Sequence, residues 1–159
     1  MDDLLKILKE NALETPQNLA RMLDIPEDEV KTRIAAYEAD GVIRGYQAIV
    51  DKDQLGLNLV DAVIEVRITP ERDGGFNTIA QRISGFPEVT SVYLMSGGYD
   101  LLVFISGENL RDVAGFVSGK LSTIDGVLST ATHFTLKTYK EQGVVMNSEE
   151  QDERLKVSP

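Results

Sequence analysis

The sequence predicts an α+β chain in two units, a helical unit followed by a four-stranded one, and three observations predict it. Apolar residues recur at helical spacing in three runs before Gly41, then change to strict alternation from Leu59 onward. A polar segment, residues 51–58 (DKDQLGLN), separates the two patterns. Beyond it the elements come as strand, helix, strand, strand, helix, strand, the split βαβ order called ferredoxin-like.

Taken in order, Asp2 or Asp3 caps a first helix that carries Leu4, Leu5, Ile7 and Leu8 and ends near Asn11. Thr15-Pro16 gives a capping hydroxyl followed by proline at the first helical position, and opens a short second helix with Leu19, Met22 and Leu23 on one side. Asp24-Ile25-Pro26 breaks it. A third helix is expected over 26–40, with Val30, Ile34 and Tyr37 at i, i+4 and i+7 as its buried stripe and Gly41 as its stop. Two helices across a tight break, followed by a strand expected over 42–50, is the order of a winged helix-turn-helix. A plain helical unit with one strand has the same spacing.

In the second unit, residues 59–69 set Val60, Ala62, Ile64, Val66 and Ile68 against Asp61, Glu65 and Arg67, the pattern of a half-buried strand. A turn is expected over 70–75, then a helix marked by Phe76, Ile79, Ala80 and Ile83 and stopped at Gly85-Phe86-Pro87. Residues 89–107 (VTSVYLMSGGYDLLVFISG) read as two strands joined at Ser96-Gly97-Gly98-Tyr99-Asp100. Glycines there accept φ > 0 and leave backbone N–H groups uncovered, and Asp100 sets a carboxylate beside them. Asn109 and Asp112 form a capping pair for a helix with the stripe Leu110, Val113, Ala114, Val117, Leu121 and Ile124. Gly115 and Gly119 inside it cost about 1 kcal/mol each relative to Ala and are read as close packing on the sheet. A last strand is expected over 127–140 after Asp125-Gly126, and 141–159 as a tail with a short apolar patch, Val144-Val145-Met146, and a solvated, mobile end.

Hydrophobic residues at 42% and charged residues at 26% suffice for a core without cross-links. The chain has no Cys, which excludes disulfides, thiolate metal sites and Cys nucleophiles. No basic start precedes an apolar run and no stretch is long enough to cross a bilayer, so the expectation is a cytoplasmic protein without a membrane partner. His133 is the only histidine, and there is no phosphate loop and no HExxH, so no enzyme, cofactor or metal is expected. The net charge is −10, and residues 1–50 carry six basic against ten acidic side chains. A nucleic-acid binder usually has a basic footprint, and this segment has none.

Four stretches then carry a resemblance: YEADGVIRGYQAIVD (37–51), Leu55-Gly56-Leu57, SGGYDLL (96–102) and IDGVLSTAT (124–132). In this order and spacing the chain resembles, over residues 1–140, the leucine-responsive regulatory protein and asparagine-regulator family, Lrp/AsnC. The resemblance implies a transcription regulator. Residues 1–50 would be a winged helix-turn-helix docked in the major groove of double-stranded DNA, 51–58 a hinge, and 59–140 a RAM or ACT-like domain. That domain would form homodimers that assemble into higher rings, an octamer being the expectation, with a free amino acid bound between dimers.

Opposite the buried stripe, the third helix presents Asp28, Thr32, Ala35, Ala36 and Ala39, flanked by Lys31 and Glu29. Thr32 can bond a base edge and Ala35 and Ala36 can touch thymine methyls. Lys31, Arg33 and Arg44 suit phosphates. Where family members carry a Ser or Thr cap, this chain has Pro26-Glu27-Asp28-Glu29. Those acids stabilise the helix start. Alternatively they lower affinity per unit, so that several units engage one DNA and gain ~10²–10⁴ in avidity, or DNA binding is lost.

For the effector, the resemblance assigns Gly97, Gly98, Tyr99, Asp100, Thr130 and Thr132, with Met95 as a further side-chain contact. Asp100 would accept from the ammonium and the N–H groups near Gly97-Gly98 would donate to the carboxylate, as backbone nests do. A plain turn with strand threonines is the simpler reading of the residues alone. Ala131 stands where some members have a long polar side chain, which leaves the amino acid unnamed. An effector between dimers would favour one assembly by its differential affinity and so alter DNA occupancy. The alternative is an amino-acid-sensing oligomer with weak or lost DNA binding that acts on a protein partner.

Overall fold

The computed structural model describes residues 2–69 and 76–146, and its contacts divide the chain between Ala48 and Ile49. The expected turn at 70–75 and the tail at 147–159 lie outside the described residues.

The first unit is α1 (Asp3–Glu10), α2 (Pro16–Leu23) and α3 (Glu27–Ala39) around buried Leu4, Leu8, Leu19 and Val30, with Ile34 and Tyr37 packed against them as the spacing requires. The Thr15 hydroxyl accepts from the Asn18 N–H at 3.2 Å, and Pro16 opens α2. Asp24 closes it at φ 54°. Gly41, at φ +67°, ends α3, and its N–H donates to the Glu38 carbonyl at 3.1 Å. Two expectations fail. Asp2 occupies the cap position of α1, but its carboxylate caps nothing and bonds Arg33 and Tyr37 instead. The strand over 42–50 does not form: the stretch has no partner strand among the described residues, and Val42, Tyr46, Ile49 and Val50 are exposed. A strand needs a neighbour for its N–H and C=O groups, and the first unit supplies none.

The segment read as a hinge is a closed turn of the second unit. Asp51 Oδ1 accepts from the N–H groups of Asp53 and Gln54 at 3.0 and 3.1 Å, and Lys52 Nζ bonds both oxygens of Asp61 at 2.8 and 2.6 Å. The division of the chain therefore falls before this turn, at 48/49 rather than at 51.

Strands β1 (Val60–Ile68), β2 (Val89–Leu94), β3 (Leu101–Gly107) and β4 (Val127–Phe134) form an antiparallel sheet in the order β2-β3-β1-β4, the ferredoxin-like arrangement. Helices α4 (Asn77–Ser84) and α5 (Leu110–Phe116) pack on one face. There Ile79, Ile83, Val113 and Phe116 meet Ala62, Ile64, Val66, Ile68, Leu101, Val103 and Ile105. Asn109 caps α5 by accepting from Arg111 and Asp112 N–H at 2.9 and 3.1 Å, and its amide returns to Asp112 Oδ2 at 2.9 Å.

The long second helix is not regular. After Phe116 it widens into a π-turn (Val117–Leu121), in which the Ser122 N–H reaches the Val117 carbonyl at 2.9 Å. The extra residue carries Leu121 onto the core in step with Val113 and Phe116, while Leu110 and Ala114 of the expected stripe are exposed. Gly115 and Gly119 have open space where a Cβ would stand, so close packing on the sheet is not what they serve. β4 ends at Phe134, short of the expected 140; residues 135–139 form no ladder. A hairpin of β5 (Lys140–Glu141) and β6 (Val144–Val145) follows, so ordered structure crosses the expected boundary at 140/141 and includes two residues of the apolar patch.

Candidate effector and DNA-binding sites

The turn between β2 and β3 is tied down at its closing residue. Asp100 donates its N–H to the Val66 carbonyl at 3.0 Å and accepts from the Met95 N–H at 2.8 Å through its own carbonyl. Its Oδ2 accepts from the Ile68 N–H at 2.8 Å. Gly97 has φ +145°, a conformation that side chains resist, whereas Gly98 has an ordinary φ and open space around it. The amides of Ser96, Gly97, Gly98 and Tyr99 bond no other described backbone group. Gly97 and Gly98 are exposed and Tyr99 half-buried, so the turn presents free donors on an open surface.

Thr130 and Thr132 lie elsewhere on the sheet. They pair with Val66 and Ile64 across the β1–β4 ladder, and register puts their side chains on the helix-covered face. Leu101, next to Asp100, pairs with Val66 from the other flank. β1 thus runs between the turn and the threonines, at two strand spacings, about 10 Å. The expected effector residues form two groups in one chain. Ala131, paired with Glu65, faces the opposite side of the sheet.

That opposite face carries no helix among the described residues. Val63, Glu65, Tyr93, Leu102, Phe104 and His133 project from it, with Tyr93 and Phe104 edge to face at 5.8 Å and His133 Nε2 3.3 Å from Glu65 Oε1. A shallow depression lined by Asn58, Val60, Glu108 and Leu110 sits at the far end of β1 from Asp100 and takes in none of the expected effector residues.

On α3 the expected DNA surface is exposed, but most of its polar groups are engaged. Thr32 donates its hydroxyl to the Asp28 carbonyl at 2.8 Å. Lys31 Nζ lies 2.5 Å from Glu27 Oε1, which raises its pKa. Arg33 Nη2 bonds Asp2 Oδ1 at 2.7 Å, and Nη1 lies 3.8 Å from Glu29. The Tyr37 hydroxyl, followed by Arg33, holds the Asp2 carboxyl below its ordinary pKa. Ala35 and Ala36 are exposed as expected, and the Arg44 guanidinium folds beside Gly41. Among the described residues of this unit, Lys9, Arg21 and Arg44 are the basic side chains with no carboxylate within 4.0 Å. Lys9 and Arg21 lie off α3, and only a pairing of each cation with its neighbouring acid singles them out.

A small helical unit ahead of a one-sided ferredoxin-like domain with a donor-rich turn is the build of a transcription regulator. The family model "Lrp/AsnC ligand binding domain" matches residues 61–145. The chain is 49% identical over 158 residues to the uncharacterized HTH-type transcriptional regulator YugG of Bacillus subtilis, covering 99% of this chain and 95% of that one. It is 30% identical over 137 residues to the HTH-type transcriptional regulator LrpA of Pyrococcus abyssi, covering 86% and 94%. Among solved structures it is similar to the transcriptional regulator NMB0573 of Neisseria meningitidis in complex with L-Met, with a TM-score of 0.70 and 25% identity over 92% of this chain and 97% of that one. The chain belongs to the Lrp/AsnC family: it is a DNA-binding transcription regulator, not an enzyme. No helix among the described residues is long and apolar enough to cross a membrane.

Proposed function

We propose that the protein regulates transcription in response to a free amino acid bound at the Gly97-Gly98 turn, and that the bound amino acid acts by shifting the assembly of homodimers. The observation that carries this is the turn itself: uncovered amides beside a carboxylate, on an open surface of the single chain. A ligand of amino-acid size needs more enclosure than one chain provides, and a second copy supplies it. Thr130 and Thr132, two strands away, then contribute from the same or a neighbouring subunit. The L-Met complex of the Neisseria relative makes methionine the first amino acid to try.

The sheet face opposite α4 and α5 serves the dimer, because Val63, Tyr93, Leu102 and Phe104 together are apolar enough to seek cover. An octamer is the assembly we infer from such dimers, and the cytoplasm its place. In the first unit, α2 and α3 across the Asp24-Ile25-Pro26 break act as a helix-turn-helix, with Ala35 and Ala36 at the bases and Lys31, Arg44, Lys9 and Arg21 at phosphates. The Lys31–Glu27 pair is open to solvent, which screens it, so Lys31 exchanges Glu27 for phosphate at small cost. Sedimentation of the protein with and without each common amino acid tests the reading. A change in mass with one of them supports it; constant mass and unchanged DNA affinity with all of them overturn it.

A further inference from the structure

We propose that Asp100 is a positioning residue: its carboxylate clamps the Ile68 amide and holds the Gly97-Gly98 turn against the end of β1, and it serves the effector through that turn rather than as the acceptor of the ligand's ammonium. This rests on the amino-acid reading above and changes the part that Asp100 plays in it.

Three observations carry the inference. The β1–β3 ladder ends at the Val66–Leu101 pair, so the Ile68 N–H, which points to the same flank as the Val66 carbonyl that Asp100 bonds, lies beyond the last strand partner. The Ile68 side chain is buried, so the amide needs a partner that the sheet no longer supplies. Asp100 Oδ2, 32 positions away in sequence, is that partner at 2.8 Å. The same residue uses its N–H on Val66 and its carbonyl on Met95. One residue thus bonds both the end of β1 and the end of β2, and the four-residue loop between Met95 and Asp100 is carried on this joint. An ammonium group that displaced Ile68 from Oδ2 would leave that amide without a partner, at the cost of an unsatisfied N–H beside a buried side chain.

Asparagine separates the two roles. Its carbonyl oxygen can still accept from Ile68, while its NH₂ replaces the other carboxylate oxygen and cannot receive an ammonium. The experiment compares the full-length protein with Asp100→Asn and Asp100→Ala. Binding of L-methionine, then of the other common amino acids, is followed by calorimetry, and hydrogen exchange is followed at the Ile68 amide. We expect Asp100→Asn to keep Ile68 protected and to bind within about tenfold of the original chain, since a charged acceptor becomes a neutral one. We expect Asp100→Ala to exchange at Ile68 roughly ten- to a hundredfold faster and to lose binding. If alanine prevents folding, the asparagine result alone decides. Lost binding in Asp100→Asn with Ile68 still protected makes Asp100 a direct ligand and overturns the proposal. If the unaltered chain binds no amino acid while Ile68 protection follows residue 100, the effector reading falls, and the positioning role falls with it, leaving the clamp to serve the fold alone.

Discussion

Arg33 Nη2 donates to Asp2 Oδ1 at 2.7 Å, so a cation on the helix assigned to DNA is committed to the chain's own first turn. With Tyr37 on the other carboxylate oxygen, the pair ties α1 to α3 across 31 and 35 positions of sequence. Arg33 therefore holds α3 against α1, and its guanidinium is less available to a phosphate. Arg33→Ala should lower the urea midpoint of the first unit, modestly because solvent screens a partly exposed pair. It should also leave the salt dependence of DNA binding nearly unchanged. Arg44→Ala, by contrast, should lower the slope of log K against log salt by about 0.9, one phosphate's worth.

The same carboxylate sets a pH dependence. Asp2 titrates below its ordinary value of 3.8 because Tyr37, and after it Arg33, stabilise the charged form. A folded pKa below the unfolded one contributes stability that is full above the unfolded value and is lost as pH falls through the folded one. Stability of the first unit should thus decline as pH drops below about 4, and Asp2→Asn should flatten that part of the profile. Glu88, lowered chiefly by Lys120, does the same for the second unit, and Glu88→Gln is the matching variant.

The two glycines of the turn should behave differently. Gly97→Ala places a side chain at φ +145° and should cost about 1–3 kcal/mol, with weaker amino-acid binding. Gly98→Ala, in open space at an ordinary φ, should fold like the original chain. Thermal unfolding of both variants checks the contrast.

The π-turn gives another. Leu121→Ala should cost about 2–5 kcal/mol, as for a buried leucine in a filled core.

Some of this was legible in residue order. The alternation of β1, the Thr15-Pro16 start, the Asn109–Asp112 cap and the Gly41 stop are local patterns, and local patterns survive folding. The π-turn left no mark, because a bond to the fifth residue back requires no particular side chain. β4 was read too long because Thr135, Leu136 and Tyr139 have strand propensity, yet a strand also needs a partner and β1 has already ended its ladder. At the candidate site, the glycines and Asp100 stood out as types, but Asp100's partner did not: Ile68 and Asp100 meet where the β1–β3 ladder runs out, 32 positions apart in sequence. Arg33 looked free for the same reason, since its distance from Asp2 along the chain hides their contact.

The most direct test is a fluorescence anisotropy titration of the full-length protein against DNA from upstream of its own coding sequence, at low and moderate salt, with and without a mixture of amino acids. The account predicts sequence-specific binding that weakens steeply with salt and changes when the mixture is added. No binding even at low salt, or binding that the amino acids leave untouched, would contradict it.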